Sequence, residues 1–399
     1  MSNEHIGARI RAERHLRDLT QRQLADRAHI SLSLLKKVEQ GTRAATPALV
    51  AAGARALRID QTVLTGQPYR TGDQRDDAVH DLIPELRREI GSYGLPPDDD
   101  TPGVQLAELA ARVAETSDMV HGVQYVRLGT ALPALLADLR SASWSTTGTD
   151  RATVMSWTVA AYDSAKRLAY DLGYADLGLH TVTLEERAAV ETGDPLAVAV
   201  TQAVRAWSLT GAGAFDAARR VLARGLADLD SLLPAATLPT WSVWGFLHLQ
   251  AALVDARAGD AARTWEHYDA AQYAAAQLDG DRDDYGLAFG PANTAIWGVG
   301  LAVELQQGVE AIDRAQRVTL PAYLPRARVG HHWMDVARAH LLAGTPRAAL
   351  DALIVARRVA PQQVRYHPMA RESVYAVGRT EQRSSEALRS LASWMGIRD

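Results

Sequence analysis

Apolar residues return every three or four positions almost throughout the chain, and no convincing segment alternates as a half-buried strand would. That spacing restricts the molecule to an all-α fold. From about Val104 onward the helical segments are punctuated by Gly173, Gly213, Gly259, Gly308 and Gly344, at intervals of 40, 46, 49 and 36 residues. A rhythm of this length belongs to helical hairpins. One hairpin cannot bury its own apolar face, so such hairpins must stack.

The first 66 residues follow a different plan, with short helices and strong stop signals. Helix one runs from about Glu4 to His15 with Ile6 and Ile10 on one face. Thr20 followed by Gln23 forms a capping-box pair that opens a second helix, in which Leu24 and Ala25 face inward. Ala28, His29 and Ile30 make the turn, and Ser31 caps a third helix that ends at Gly41. Thr46 and Pro47 open a fourth helix to about Leu57, and Asp60 caps a last short one through Val63 and Leu64. The expected organisation is a five-helix domain over 1–66, a Gly-, Asp- and Arg-rich linker over 67–80, and a helical-repeat body over 81–399. A second soft stretch, Gly91 to Gly103, reads as a loop.

Charge divides along the same boundary. Residues 1–70 hold 12 of the 43 basic residues and 6 of the 47 acidic ones, which leaves 31 basic against 41 acidic in the remainder. A basic head on an acidic body fits contact between the head alone and a polyanion. Cysteine is absent, which removes disulfides, thiolate metal sites and cysteine nucleophiles. The N-terminus has charges where a secretion signal needs an apolar core, and no 18-residue apolar run occurs, so a cytoplasmic protein without a membrane span is expected.

The segment TQRQLADRAHISLSLLKKVEQG, with Ile6, Gly7, Arg9 and Ile10 before it, resembles the helix-turn-helix of the Cro/repressor class, the Xre family, over residues 6–64. The matching positions are Thr20-Gln21, Leu24-Ala25, Ile30-Ser31, Val38-Glu39 and Gly41. The resemblance implies a double-stranded DNA operator as partner, with the third helix in the major groove. It also implies a homodimer, since one head reads only a half-site. Periodicity turns Leu35 and Val38 inward and leaves Leu32, Ser33, Lys36 and Lys37 on the outer face. By the same resemblance Gln21, Leu32, Ser33 and Lys37 match base-contacting positions. Either lysine could donate to guanine O6 and N7, Leu32 could press on a thymine methyl, and Arg43 is a candidate phosphate clamp. Phosphate contact or plain solvation is the competing reading for each lysine. Arg14 and Glu39 match a structural ion pair of the family rather than a reading pair.

In the body, residues 330–363 resemble a tetratricopeptide repeat, with Trp333, Val336, Ala337, Gly344, Ala349, Leu353 and Ala356 in its large and small positions and Pro361 as terminator. Residues 203–226 fit through Ala206, Gly213, Ala218 and Leu222, whereas the hairpins around Gly259 and Gly308 fit loosely. The pairing of such a head with such a body is similar to bacterial regulators that respond to signalling peptides, which implies a peptide or small-molecule effector. Candidate contacts are Trp241, Trp244 and His248, at i, i+3 and i+7 on one helix face, and Asn293 with Trp297, one turn apart. The alternative for these residues is core packing and helix capping. The alternative for the body is an effector-free scaffold that recruits a partner protein. No HExxH, P-loop, GxSxG or strand-borne GxGxxG motif is present, so no catalytic residue and no cofactor is expected. His331 and His332 invite a metal reading, but adjacent helical residues point about 100° apart. One packed and one exposed histidine is expected there, and no metal.

Overall fold

Each head helix begins at a side chain that accepts its orphan amides. The computed structural model describes residues 5–70, 74–97, 105–380 and 385–397. Helix α1 (Ile6–His15) starts behind His5, whose ring accepts from the Ala8 amide; the expected start at Glu4 lies outside the described residues. Helix α2 (Gln21–Ala28) carries the full Thr20/Gln23 capping box, and His29 in a left-handed conformation turns the chain into α3 (Leu32–Glu39), capped by Ser31. Thr46 caps α4 (Pro47–Leu57) and Asp60 caps α5 (Gln61–Thr65).

Helix α1 lies directly against the end of α3. A Cβ added at Gly7 would stand 1.8 Å from the Val38 carbonyl oxygen, which is backbone and cannot rotate away. Gly7→Ala should therefore force α1 off α3 and destabilise the head by about 1–3 kcal/mol. A thermal melt identical to that of the unmodified protein would refute this close contact.

Beyond the head come α6 (Gln74–Asp81), α7 (Ile83–Gly91) and a series of antiparallel pairs: α8 (Leu106–His121) with α9 (Tyr125–Ser145), α10 (Gly148–Leu172) with α11 (Ala175–Thr192), α12 (Pro195–Gly211) with α13 (Phe215–Asp230), α14 (Leu238–Ala258) with α15 (Ala261–Ala275), α16 (Pro291–Glu304) with α17 (Gly308–Arg317), and α18 (Arg326–Leu342) with α19 (Pro346–Val359). Helices α20 (Pro361–Tyr366), α21 (Pro368–Thr380) and α22 (Glu386–Trp394) close the chain. The fold of the described residues is all-α.

Four of the five periodic glycines, Gly173, Gly213, Gly259 and Gly344, sit at positive φ in hairpin turns. Gly308 does not: the left-handed residue in that turn is Gln306. Gly308 instead opens α17, where a Cβ would meet Leu342 Cβ at 2.6 Å, so this glycine permits close packing of α17 on α18. Pro361 follows the end of α19 at Val359 and is the first residue of α20. Val336, Ala337, Ala349, Leu353 and Ala356 are buried where α18 meets α19. Of the stretch Gly91 to Gly103, residues 98–103 lie outside the described residues.

Several residues between 67 and 80 pack on the body. Gln67 donates to the Tyr366 carbonyl, Arg371 lies 4.2 Å over the Tyr69 ring, and buried His80 contacts the Tyr69 carbonyl and the Tyr174 hydroxyl.

The head itself is docked on the end of the body. Met369 of α21 completes the head's apolar core beside Ile6, Ile10, Leu49 and their neighbours. One turn on, the buried Glu372 carboxylate accepts from the Ile6 amide at 3.1 Å and the Ala45 amide at 3.5 Å. A body side chain thus satisfies an orphan amide of the head's first helix. At other edges Arg55 and Gln61 donate to the carbonyls of Gly213 and Gly211.

Candidate functional site

Two places combine positioned polar groups with access: the outer face of α3 and a cavity inside the body. On α3, Leu35 and Val38 are buried while Ser33, Lys36 and Lys37 are exposed and Leu32 is half-buried against the head core. Ser31 fixes the start of this helix by accepting from the Leu34 amide, so the exposed residues lie on its first two turns. The helix presents a short hydroxyl and two ammonium groups, a donor set suited to phosphate oxygens and guanine edges.

Gln21 is differently placed, since its Nε2 donates to Glu39 Oε2 at 2.8 Å. It joins a buried pair in which Arg14 Nε and Nη2 reach the two Glu39 oxygens at 2.7 and 2.8 Å, while Arg14 Nη1 donates to the Leu19 carbonyl at 2.8 Å. The two charged side chains are 7% and 2% exposed. Arg43, read as a phosphate clamp, donates to Gln306 of the body at 2.9 Å.

The five candidate effector residues fall into two groups. Trp241, Trp244 and His248 do share one face of α14, but that face meets α15: Trp241 packs edge-on against Trp244 and Tyr273, and His248 Nδ1 lies 2.9 Å from His267 Nδ1. Burial first, then His267, lowers the His248 pKa to about 4. The opposite face of α14, through Phe246, Gln250, Leu253 and Arg257, lines a cavity of about 310 Å³. Asn293 and Trp297 of α16 line the same cavity, so only these two of the five reach it. Helices α8, α9, α10, α12 and α18 and the segment after α19 supply the remaining walls.

The cavity wall includes aromatic residues, Trp207, Phe246 and Trp297 among them, and a set of charged ones. Among the charged residues Lys166 pairs with Asp163 and Glu185, and Arg167 donates to Asp163. Burial opposes the charge on Asp163, yet Arg167 and Lys166 hold that carboxyl well below the usual range, while burial pushes Glu185 up to about 7. Glu304 takes Arg338 at 3.0 Å and faces Arg257 at 3.4 Å. Asp171 accepts from the Tyr125 hydroxyl at 2.5 Å. Asn293 donates through Nδ2 to the Ala288 carbonyl, which fixes the amide and leaves its buried Oδ1 without a hydrogen-bond partner among the described residues. Gln363 Oε1 and His367 Nδ1, also on the cavity wall, are in the same state.

Apart from the tryptophans, Asn293 and His331, none of these cavity residues stood out in the sequence. The one available signal is DSAKRLAYD, Asp163 to Asp171, a dense charge run inside a helix whose neighbours are apolar. His332 is buried and His331 half-exposed, the latter 3.6 Å from Asp335 and edge-on to His367. No group of three or more potential metal ligands among the described residues could hold an ion. No helix among them is long and apolar enough to cross a membrane.

Residues 5–65 match the family described as a helix-turn-helix domain. A comparison with curated proteins finds no match. Among solved structures the chain is similar to BtubC (BKLC) from P. vanneervenii, at 14% identity and a TM-score of 0.37, with 70% of this chain and 96% of that one covered. It is also similar to Bacillus thuringiensis PlcR in complex with the peptide PapR7 and DNA, at 14% identity and a TM-score of 0.30, covering 69% and 96%. Residues 5–65 are accordingly a helix-turn-helix domain, and the chain joins that domain to a body of helical hairpins.

Proposed function

We propose that the protein is a cytoplasmic, sequence-specific DNA-binding transcriptional regulator and not an enzyme. In this reading a head over 1–66 binds the operator, 67–80 connects it to the body, and the body over 81–399 dimerises and binds an effector. The observation that carries the proposal is the helix-turn-helix match together with the exposure of Ser33, Lys36 and Lys37 on the second helix of the motif. These residues stay open to solvent while the head is docked on α21, so the docked head can still present them to a groove.

Base contacts are proposed for Leu32, Ser33, Lys36 and Lys37, with Gln21 at their edge. Arg43 would leave Gln306 to clamp a phosphate. Reading a two-fold operator needs two heads about one helical turn apart, which is why a homodimer is part of the proposal. The effector reading rests on the cavity and its unpartnered Asn293 oxygen. It favours a sensing body over one that only recruits a partner protein. Cavity and head are linked through the chain: Gln363 and His367 on the wall run directly into α21, whose Met369 and Glu372 hold the head. Occupancy that shifts α20 would move the head and change the spacing of paired reading helices.

The test begins by selecting an operator from random duplexes with the full chain. Lys36→Ala and Lys37→Ala should each weaken it by about 1–3 kcal/mol if the lysine reads a base. If the lysine contacts only phosphate, the loss should be uniform across sequences and the salt slope should drop by about one. Unchanged affinity and salt slope in the double variant would overturn the reading face.

A further inference from the structure

Among the described residues, one cation on the cavity wall is left without an ion-pair partner. Lys166 and Arg167 share Asp163, with Glu185 behind Lys166. Arg257 and Arg338 share Glu304, and Asp335 takes Arg338 and lies near His331. Asp171 is occupied by a tyrosine hydroxyl. Arg328 of α18 lines the cavity, and its guanidinium has no hydrogen bond or ion pair among the described residues. Burial, then the like charge of Arg167, lowers its pKa to about 10; Asp163 and Asp283 act on it only at longer range. This half-buried guanidinium is free to take an anion, and its planar fork suits two-point contact with a carboxylate or phosphate.

A second, independent observation points into the same space. Asn293, 1% exposed, is a lining residue of the cavity, and its buried Oδ1 has no partner among the described residues. This oxygen needs an N–H or O–H donor, and a buried acceptor left empty carries a real penalty. The aromatic lining supplied by Trp207, Phe246 and Trp297 excludes a purely hydrophilic occupant. About 310 Å³ falls at the small end of the range for small-molecule sites, too little for an extended peptide to be enclosed.

We propose that this cavity binds a small organic anion with an aromatic or apolar body, whose carboxylate or phosphate pairs with Arg328 beside Arg167 and whose N–H or O–H donor meets Asn293 Oδ1. This deepens the effector reading above and rests on it only for the consequence at DNA. With Arg328, Asn293 and the aromatic rings on one cavity wall, the site selects for an anion that also carries a polar donor and an apolar body.

The test uses the full chain with indole-3-acetate and 1-naphthyl phosphate as probes, each beside its uncharged analogue, indole-3-acetamide or 1-naphthol, with inorganic phosphate and an unrelated acidic heptapeptide as further arms. Tryptophan fluorescence and thermal shift should register at least one aromatic anion and neither neutral analogue; which anion is registered separates carboxylate from phosphate recognition. Arg328→Gln should weaken that binding by about 10- to 100-fold, Arg328→Lys should restore part of it, and the ligand-free melting temperature of Arg328→Gln should be unchanged or higher, because a half-buried charge with no partner beside Arg167 is gone. Should Arg328→Gln fail to fold, Trp297→Ala, which removes part of the aromatic wall, takes its place and should weaken binding of the same anion.

Equal shifts by charged and neutral probes, binding of inorganic phosphate or the peptide in preference to both aromatic anions, no response to either anion at millimolar concentration, or binding indifferent to Arg328→Gln would each overturn the proposal. Operator affinity, measured separately, keeps the two readings apart. Intact DNA binding without anion binding removes this site alone. Anion binding that leaves operator affinity unchanged keeps the site and removes its regulatory role.

Discussion

Arg14→Ala is expected to lower the stability of the head by about 3–5 kcal/mol, because it strips the charged partner from a buried carboxylate. Glu39 would keep only the Gln21 amide of its three side-chain donors, and the Leu19 carbonyl would lose its guanidinium contact as well. The neighbouring bridge between Glu13 of α1 and Arg17, just past the end of that helix, supplies the contrast. It is as short, at 2.6 Å, but its side chains are 33% and 20% exposed, so Arg17→Ala should cost less than about 1 kcal/mol. Denaturant unfolding combined with hydrogen exchange at head amides measures both. If Arg14→Ala costs no more than Arg17→Ala, the pair does not fix α1 against α3. Replacing the pair together by apolar residues, Arg14→Met with Glu39→Leu, should recover much of the loss, since no stranded charge remains.

The second large effect is expected at a residue more than three hundred positions from the head in sequence. Met369→Ala should destabilise the head by about 2–5 kcal/mol, the range for truncating a buried methionine when the surroundings collapse only in part. Met369 is 7% exposed and packs within the head's own apolar cluster, although it belongs to α21. Glu372→Ala, one turn on, should add to the same effect by uncapping the Ile6 amide. The readout is exchange at the Ile6 and Ala45 amides and the number of unfolding transitions. With the contact intact, head and body should unfold together; with Met369→Ala the head should open first. Identical head exchange in the variant would mean that the head core is sufficient without α21.

The reach of sequence reasoning follows the range of each interaction. Thr20 with Gln23, Ser31, Thr46 with Pro47, and Asp60 were readable as helix starts because a cap bonds an amide two or three residues away. The inward set Leu24, Ala25, Leu35 and Val38 was readable because helical periodicity is also local. Gly308 shows where this stops: its spacing matched the turn glycines, but the turn falls on Gln306 and the glycine serves a contact with Leu342 from another hairpin. Arg43 is similar, an exposed arginine in the sequence that α16's neighbour Gln306 claims in three dimensions. For Trp241, Trp244 and His248 the shared face was legible, whereas which way that face points was not.

By itself, then, the sequence determined an all-helical chain, the five-helix head with the exposed face of α3, the Arg14–Glu39 partners and most of the hairpin turns, because caps, turns and periodic faces act over a few residues. Only the tertiary structure decided that Met369 and Glu372 belong to the head, that Arg43 meets the body, and that Arg328, Asn293, Gln363 and His367 converge on one cavity. These depend on how separate hairpins stack. A charged residue on a helix reads as solvated until the neighbouring hairpin removes the water from around it.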